Sequence, residues 1–372
     1  MNPLDMIDTV YAIKSIHEDF RVTEVPLMPQ VCEPNQATHT YLWLDKKNAN
    51  GFDIQNSLSA YFHLNVTDIG MAGLKDEDGI TSQLISIATI LQSEQIDQFN
   101  HKFAGQNGYA RLRFFGFGQS AIIPRKLHGN SFKIVIRRLS PDMAQNIYNR
   151  FRQSQLFSFI NYYDSQRFCL PQGPFVTHLI GQSIQQNNWL QAFNYFESTN
   201  HLDSTLSSQR EAKKFFQKLN PGQIDFYLSA YTSYLWNQQA SILIDQESHT
   251  THQIKDVMTV NFPKDFHRTD PVTLSSPGFK FDTHEFAAIP KQKNRIFTIT
   301  TNVFVRPPEP DMLNHGAKII NLDFYLPTGC YATMAIKQLI YSSVRSYSLS
   351  GLLEISSDFN LLCNQKSIQD QC

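Results

Sequence analysis

The chain has 372 residues, of which 41% are hydrophobic and 12% are aromatic, and its formal net charge is −1. This hydrophobic content can bury a full core, which excludes an intrinsically disordered chain. The length favours two domains, or one domain with a large insertion, and the mixture of helical and strand-like patterns favours a mixed α/β or α+β fold.

The cysteines and the amino terminus indicate the compartment. The five cysteines are scattered and form no CxxC or Cys–His spacing, which is typical of a reduced intracellular protein. The amino terminus carries acidic residues early and lacks a basic segment followed by an apolar one, so no signal peptide is predicted. No stretch approaches about 18 uncharged apolar residues, so we expect no membrane span and a cytoplasmic protein.

The first predicted elements precede an acidic loop. Tyr41–Leu44 has the pattern of a short buried strand, and residues 50–62 have a helical pattern. The loop GLKDEDGITSQ, residues 73–83, then places three carboxylates beside one lysine. Taken alone it is typical of a solvated acidic turn. The functional alternative is that Asp76 stays ionised beside Lys75 and faces a substrate.

Positive charge is concentrated between residues 101 and 152, which carry ten lysines and arginines and one acid. A field of this sign suits a phosphate backbone, although a strand pair with a solvated basic face would give the same composition. YARLRFF and SFKIVIRRL alternate as half-buried strands, and a turn is predicted at residues 128–130 before the second. In that second strand Lys133 and Arg137 are predicted to share the outward face, where they can contact phosphates.

A helix and an aromatic segment follow. In SPDMAQNIYNRFRQ, Ser140 is a natural N-cap, Pro141 suits the first helical position, and apolar residues four apart give one buried face. The segment INYYDSQRF, residues 160–168, is either ordinary surface or an aromatic platform beside hydrogen-bond donors. The second arrangement suits a base that has left its stack.

The composition changes at about residue 175. A Gln/Asn-rich and mostly helical stretch runs to about 250, and short strand-like pieces follow to about 310. LDFYLPTGCYATMAIKQLIY then predicts a strand, a tight turn and a helix; the turn either presents N–H groups to an anion or is only a turn. There is no HxxxH, HExxH, GxGxxG or Walker pattern, so neither a metal nor a nucleotide cofactor is expected.

Six segments of the chain resemble the motifs of one family. The tRNA pseudouridine synthase D (TruD) family has motifs similar, in this order, to EDFRVTE with Lys14 upstream, GLKDEDGITSQ, HGNSFKIVIR, NYYDSQRF, LSAYTSYLWNQ and LPTGCYAT. Their collinear order from about residue 10 to 345 makes the resemblance specific. It implies an α+β fold: a catalytic core at 1–179 and 313–372, built as a mixed sheet flanked by helices, and an inserted α/β domain at 180–312.

The resemblance also implies an activity and its residues. Family members isomerise a uridine in RNA, classically at position thirteen of transfer RNA, without cofactor or metal. Asp76 matches the family's essential aspartate, and Lys14 matches a lysine that would keep this carboxylate ionised. Tyr163 would stack on the target base. The motifs and the basic strand together assign substrate binding to Phe20, Gln83, Lys133, Arg137, Asn161, Tyr163 and Arg167.

Some positions depart from the family's patterns. Tyr163, Asp164 and Cys169 stand where the family has Phe, Gly and Gly. Tyrosine keeps the stacking face, whereas a carboxylate at residue 164 is expected to repel both phosphate and Asp76. These departures motivate the alternative of a divergent member, weak or inactive as a catalyst, that binds RNA without modifying it.

A third hypothesis from another class is a glycoside hydrolase, which uses a pair of carboxylates. Asp76 and Asp78 could form such a pair, but two positions apart on one turn they are poorly placed to flank a sugar. No coiled coil or apolar repeat argues for assembly, so we expect a monomer. The resemblance implies that its partner is transfer RNA.

Overall fold

The structure is a computed structural model of the chain. It describes residues 11–49, 51–73, 75, 79–105, 108–123, 127–169, 173–200, 206–246, 249–255, 257–263, 273–275 and 294–343. Within these ranges no helix has the length and the apolar character needed to cross a membrane.

Strands and helices alternate unevenly along the described chain. The strands are β1 Phe20–Pro26, β2 His39–Lys47, β3 Ile69–Met71, β4 Ile80–Ile87, β5 Tyr109–Gly118, β6 Leu127–Leu139, β7 Leu156–Ile160, β8 His249–Ile254, β9 Met258–Pro263, β10 Thr273–Ser275, β11 Asn294–Ile296, β12 Thr298–Val305, β13 Glu309–Pro310 and β14 Lys318–Pro327. The helices are α1 Gly51–Phe62, α2 Ser93–Lys102, α3 Pro141–Gln153, α4 Thr177–Gln185, α5 Trp189–Asn200, α6 Gln209–Lys218, α7 Pro221–Asp245 and α8 Ala332–Ser343.

One mixed sheet of ten strands organises the chain. Its strands lie in the order β5-β2-β4-β1-β6-β14-β12-β7, with β3 added to β4 and β13 added to β14. Strands β1 and β4 are parallel, whereas β6 is antiparallel to both β1 and β14, and β2 is antiparallel to both β4 and β5. A mixed sheet accompanied by helices is the α+β fold class that the sequence predicted, which is confirmed.

The described residues divide into two compact units. Residues 11–157 and 301–329 form the sheet unit, and residues 158–300 and 330–343 form the helical unit. The helical unit contains α4 to α8 and two hairpins, β8 with β9 and β10 with β11.

Each unit has its own hydrophobic core. In the sheet unit, α1 and α2 contribute Leu58 and Phe99 to a cluster with Leu44, Ile85 and Leu112 of the strands. In the helical unit, one cluster joins α4 to α7, and a second surrounds Trp236 of α7. Burying one large apolar side chain stabilises a fold by about 1.5–3 kcal/mol, so these clusters are the main source of stability.

The strongest local signals in the sequence predicted the observed elements. Helix α3 begins at Pro141, and Ser140 caps it by accepting a hydrogen bond from the backbone N–H of Met143 at 3.2 Å. The strand, turn and helix predicted at the end of the chain are β14, a turn with Gly329 at φ 82°, and α8.

The turn predicted at residues 128–130 is wrong. Strand β6 already begins at Leu127 and pairs there with β1 and β14. A Cβ on Gly129 would lie 2.1 Å from the carbonyl oxygen of Leu326 on β14. This glycine therefore marks the close approach of two strands, which a local turn pattern does not distinguish from a turn.

His252 of β8 is a buried imidazole in the helical unit. Its ring stacks on Phe262 with centroids 4.9 Å apart, and neither ring nitrogen has a hydrogen-bond partner among the described residues. Burial, with a smaller effect of the Lys337 ammonium, lowers the pKa of His252 to about 4. A neutral ring is therefore part of the folded state.

We predict that His252 makes the helical unit sensitive to acid. The unfolded chain takes up this proton first, at the ordinary pKa of 6.5, so the free energy of unfolding falls as the pH drops from there towards 4. Protonation of His252 in the unfolded chain should by itself lower the free energy of unfolding by about 2 kcal/mol at about pH 5. Urea denaturation at neutral pH and at about pH 5 measures the difference for the wild type and for His252→Phe.

The matched control is Gln253→Phe, which places the same side chain at an exposed, non-titrating position of the same strand. His252→Phe should reduce the loss of stability between the two pH values, and Gln253→Phe should leave it unchanged. An equal loss in the wild type and His252→Phe would contradict the prediction.

Candidate active site

The acidic loop singled out in the sequence joins β3 to β4 in the sheet unit. Gly73, Lys75 and the chain from Gly79 onward are described, whereas Asp76 and the two acids after it lie outside the described residues. The contacts of Gly73, Lys75 and Gly79 therefore define how the chain reaches and leaves that segment.

A buried ion pair ties the loop to the sheet. Nζ of Lys75 lies 2.7 Å from Oε2 of Glu24, and the two side chains are 8% and 0% exposed. Glu24 is at an inward position of β1, where burial alternates residue by residue. Neither oxygen of Glu24 accepts a directed hydrogen bond from a described residue, so the pairing with Lys75 is electrostatic. The sequence hypothesis used Lys75 to keep Asp76 ionised, but the lysine's ammonium group contacts Glu24.

Two further side chains hold the backbone of the same loop. Lys46 of β2 is fully buried, and its Nζ donates hydrogen bonds to the carbonyl oxygens of Ala49 at 2.8 Å and Lys75 at 3.3 Å. Gln83 of β4 donates from Nε2 to the carbonyl oxygen of Gly73 at 3.3 Å. The residue before Asp76 is therefore held through both its side chain and its backbone.

Lys14 and Phe20 lie together near the other end of the loop. Lys14 has a φ of 58°, a conformation that a residue other than glycine keeps only when its surroundings enforce it. Its Nζ is 4.3 Å from the centroid of the Phe20 ring, and Phe20 itself is 2% exposed. A Cβ on Gly79 would lie 2.6 Å from the carbonyl oxygen of Phe20. Phe20 thus contacts both Lys14 and the chain that leaves the loop.

Lys133 has the outward position that the sequence predicted. It is exposed on β6 and lines an open groove of about 760 Å³ on the outer face of the sheet. Arg21, Ser82 and Arg111 line the same groove. Its side chain is available to an anionic partner.

The outward orientation predicted for Arg137 is wrong. Arg137 is 8% exposed and donates hydrogen bonds to both carboxylate oxygens of Asp19, at 2.8 and 2.7 Å, and to Asp311 at 3.0 Å. These carboxylates raise the pKa of Arg137. The alternation of β6 breaks at this point because Arg138 has a φ of 65° and the register with β14 shifts. Arg137 therefore ties three parts of the sheet unit together.

Asn161 follows β7 in the helical unit, and its amide is engaged at both ends. Its Oδ1 accepts a hydrogen bond from Nη2 of Arg295 at 2.8 Å, and its Nδ2 donates to the carbonyl oxygen of Ile296 at 3.1 Å. Asn161 is 3% exposed. In this arrangement it fixes the start of the segment Asn161–Asp164.

Tyr163 carries the ring predicted to stack on a base. The ring is 7% exposed and meets Trp236 and Tyr331 edge-on, with centroids 5.8 and 6.2 Å away. The guanidinium carbon of Arg295 is 3.9 Å from its centroid. Asn237 of α7 binds both the N–H and the carbonyl oxygen of Tyr163, each at 2.9 Å. Ring and backbone are therefore both fixed.

The charge of Asp164 is balanced inside the helical unit. Its carboxylate accepts hydrogen bonds from the N–H of Ser165 at 2.7 Å, the hydroxyl of Thr333 at 2.5 Å and Nζ of Lys337 at 2.8 Å. Burial alone would raise its pKa, but Lys337 and these hydrogen bonds hold the pKa below its ordinary value. The expectation that Asp164 presents an unbalanced negative charge is corrected, because Lys337 neutralises it.

Arg167 is half-buried in the helical unit. Its guanidinium donates hydrogen bonds to the hydroxyl groups of Ser229 at 2.6 Å and Ser233 at 3.2 Å, both on α7, and lies 5.4 Å from the ring centroid of Phe226. These contacts attach the segment after Asp164 to α7.

The described part of the chain has no group of three or more His, Cys, Asp or Glu side chains able to hold a metal ion.

Known proteins of one family are similar to this chain over most of its length. A family model described as tRNA pseudouridine synthase D (TruD) matches residues 4–217, a range that includes Lys14, Asp76, Asn161 and Tyr163. The chain is similar to the probable tRNA pseudouridine synthase D 1 of Methanococcus maripaludis, at 24% identity over 87% of this chain and 97% of that protein. It is also similar to the tRNA pseudouridine synthase D of Leptospira interrogans, at 25% identity over 90% of this chain and 97% of that protein.

A solved structure supports the fold. The crystal structure of the putative TruD from Methanosarcina mazei aligns with a TM-score of 0.60 and 17% identity, over 88% of this chain and 93% of that chain. The fold and the matched range identify an isomerase of the pseudouridine synthase class. Since the family model covers more than half of the chain, the protein belongs to the tRNA pseudouridine synthase D (TruD) family. The predicted family is confirmed.

Sequence reasoning missed three groups that organise the candidate site. Glu24 lies within EDFRVTE at an inward strand position, and an acid at such a position signals a buried cationic partner. Lys46 is a lysine at a buried position of β2, and a buried cation signals a polar partner in the same way. Arg295 lies 134 residues from Asn161 in sequence, and no local pattern links the two.

We predict that removing one partner of the Glu24–Lys75 ion pair destabilises the sheet unit more than removing both partners. Lys75→Met leaves a buried carboxylate without its cation and should cost about 3–5 kcal/mol of unfolding free energy. Adding Glu24→Gln to Lys75→Met should recover a large part of that loss, because no buried charge then remains. Urea denaturation of the single and double variants measures both changes in the free energy of unfolding.

Lys47→Met is the control, since Lys47 pairs with Glu18 at 2.6 Å in a contact that is partly exposed to solvent. Its loss should cost about 1 kcal/mol or less. Equal effects of Lys47→Met and Lys75→Met would show that the buried pair carries no special weight.

Proposed function

We propose that this protein converts a uridine of transfer RNA to pseudouridine, using the carboxylate of Asp76. The observation that carries the proposal is the family match over residues 4–217, which spans the acidic loop and the segment Asn161–Asp164. The relatives named above are tRNA pseudouridine synthases by their descriptions.

The reaction is an isomerisation and is balanced without a cofactor. The C1′–N1 bond of uridine breaks, the uracil turns, and C5 bonds to C1′. The proton leaves C5, and N1 gains one. A fixed carboxylate acts at the sugar, either as a nucleophile at C1′ or as a base at C2′.

The anchored loop supports the assignment of Asp76. The residue before it is held by Glu24 and Lys46, and a catalytic group needs this kind of fixed attachment because small displacements cost large factors in rate. Lys14 lies over the ring of Phe20, which contacts the chain that leaves the loop, and its charge keeps the carboxylate ionised.

Base flipping accounts for the role of Tyr163. Taking a base from its stack costs a few kcal/mol, and stacking on an aromatic ring returns about 1–3 kcal/mol. A ring held by Asn237, Trp236 and Arg295 loses little conformational freedom when a base binds it. Phe20, Gln83, Asn161 and Arg167 then act mainly by holding the groups around the substrate.

The partner is transfer RNA, and its uridine at position thirteen is the proposed target. Lys133 and the basic residues of the outer groove supply phosphate contacts, which predicts binding that weakens as salt is added. The proposal includes a monomer in the cytoplasm. It also keeps the division into a catalytic domain at 1–179 and 313–372 and an inserted domain at 180–312.

We predict that Asp76→Asn lowers pseudouridine formation by about 100-fold or more, because it removes the carboxylate while keeping the size of the side chain. Purified protein is incubated with a transfer RNA transcript, and pseudouridine is quantified by chromatography of the digested nucleosides. Asp78→Asn is the matched control on the same loop and should retain activity within a few-fold.

Transfer RNA binding is measured in parallel over a range of salt concentrations. Binding by every variant, with product from the wild type and Asp78→Asn only, supports the proposal. Asp76→Asn activity near that of the wild type would overturn the assignment. Binding without product from the wild type on any transfer RNA would favour the alternative of an RNA-binding protein.

A further inference from the structure

Arg295 is bound to three consecutive residues of the helical unit. Its Nε donates to the carbonyl oxygen of Asn161 at 2.6 Å, and its Nη2 reaches Oδ1 of the same residue at 2.8 Å and the carbonyl oxygen of Tyr162 at 3.4 Å. Its guanidinium carbon lies 3.9 Å from the ring centroid of Tyr163. One side chain thus contacts the backbone that leads to Tyr163 and the face of the ring itself.

Other aromatic rings complete the surroundings of this guanidinium. The ring centroids of Trp236 and Tyr331 lie 5.5 and 5.8 Å from it, and both rings meet Tyr163 edge-on. A cation over an aromatic face contributes about 0.5–2 kcal/mol, depending on how dry the contact is. Arg295 is half-buried, and three hydrogen bonds and three rings hold its position.

Arg295 is supplied by β11, which pairs with β10. It is well outside residues 4–217, the range that the family model matches. The segment Asn161–Asp164 therefore depends on a side chain from a distant part of the sequence.

We propose that Arg295 is a positioning residue for pseudouridine formation: it fixes Asn161 and packs against the ring of Tyr163, so that both residues are held in one orientation. This rests on the proposed function. Guanidinium geometry is needed, because a planar fork can bind two acceptors of Asn161 and pack against the Tyr163 ring at the same time.

The test uses the full-length variants Arg295→Ala and Arg295→Lys, with Arg210→Ala as the control on an exposed position of α6. Single-turnover and steady-state pseudouridine formation give kcat and KM, and transfer RNA binding gives Kd. Hydroxyl-radical labelling followed by mass spectrometry reports the exposure of Tyr163 without requiring activity.

Both Arg295 variants should lower kcat by about tenfold or more, because the ring loses its orientation. The Kd for transfer RNA should change by less than about threefold, since phosphate contacts supply most of that affinity. Labelling of Tyr163 should rise in both variants, and Arg210→Ala should change none of these values. If Arg295→Ala does not fold, the same measurements on Arg295→Lys, which keeps the charge and the approximate length, test the proposal.

A wild-type kcat in Arg295→Lys, or labelling of Tyr163 that stays at the wild-type level, would overturn the proposal. If the wild type itself makes no pseudouridine, the proposed function fails separately. Labelling then still tests whether Arg295 holds the ring of Tyr163: an increase at Tyr163 supports that contact, and no increase overturns it.

Discussion

The ion pair between Glu24 and Lys75 is the constraint on which the candidate site in the sheet unit depends. Two charges removed from water are stable only together, so the strand that carries Glu24 and the loop that carries Lys75 must meet. Lys46 adds a hydrogen bond to the carbonyl oxygen of Lys75, and Gln83 holds Gly73. The chain is therefore fixed immediately before Asp76, the carboxylate to which we assign the proposed chemistry.

Buried ion pairs also occur elsewhere in both units. Arg137 is buried with Asp19 and Asp311, and Asp164 is buried with Lys337. Each of these contacts joins segments far apart in sequence, and each would leave an uncompensated buried charge if one partner were lost. Such pairs add little net stability over apolar packing, but they define which segments must come together. The Asp164 pair also explains how the fold accommodates a buried carboxylate at this position.

Local chemistry in the sequence was sufficient for elements whose signals are local. Ser140 and Pro141 predicted the start of α3 because capping depends on residues within one turn. Ordered motifs predicted the family and the α+β fold, since their spacing reflects the whole chain. The prediction of a turn at 128–130 was wrong because the need for Gly129 comes from Leu326, a strand neighbour nearly 200 residues away in sequence. The prediction that Arg137 faces outward was wrong because a register shift interrupts the alternation of β6.

The candidate site was predicted less completely than the fold. Motifs pointed to Lys14, Asn161 and Tyr163, but a motif does not reveal which groups hold them. Lys75 looked like a partner for Asp76 because the two are adjacent in sequence, whereas its ammonium contacts a strand residue on the sheet. Arg295 gave no local signal, because its contacts with Asn161 and Tyr163 exist only in the folded chain.

Release of tritium from transfer RNA labelled with [5-³H]uridine is the most direct measurement, because only bond formation at C5 displaces that atom. We predict release by the wild-type protein in proportion to the pseudouridine formed, and none from a transcript in which the target uridine is replaced by cytidine. Absence of release from every uridine-containing transfer RNA that the protein binds would contradict the assignment of a pseudouridine synthase.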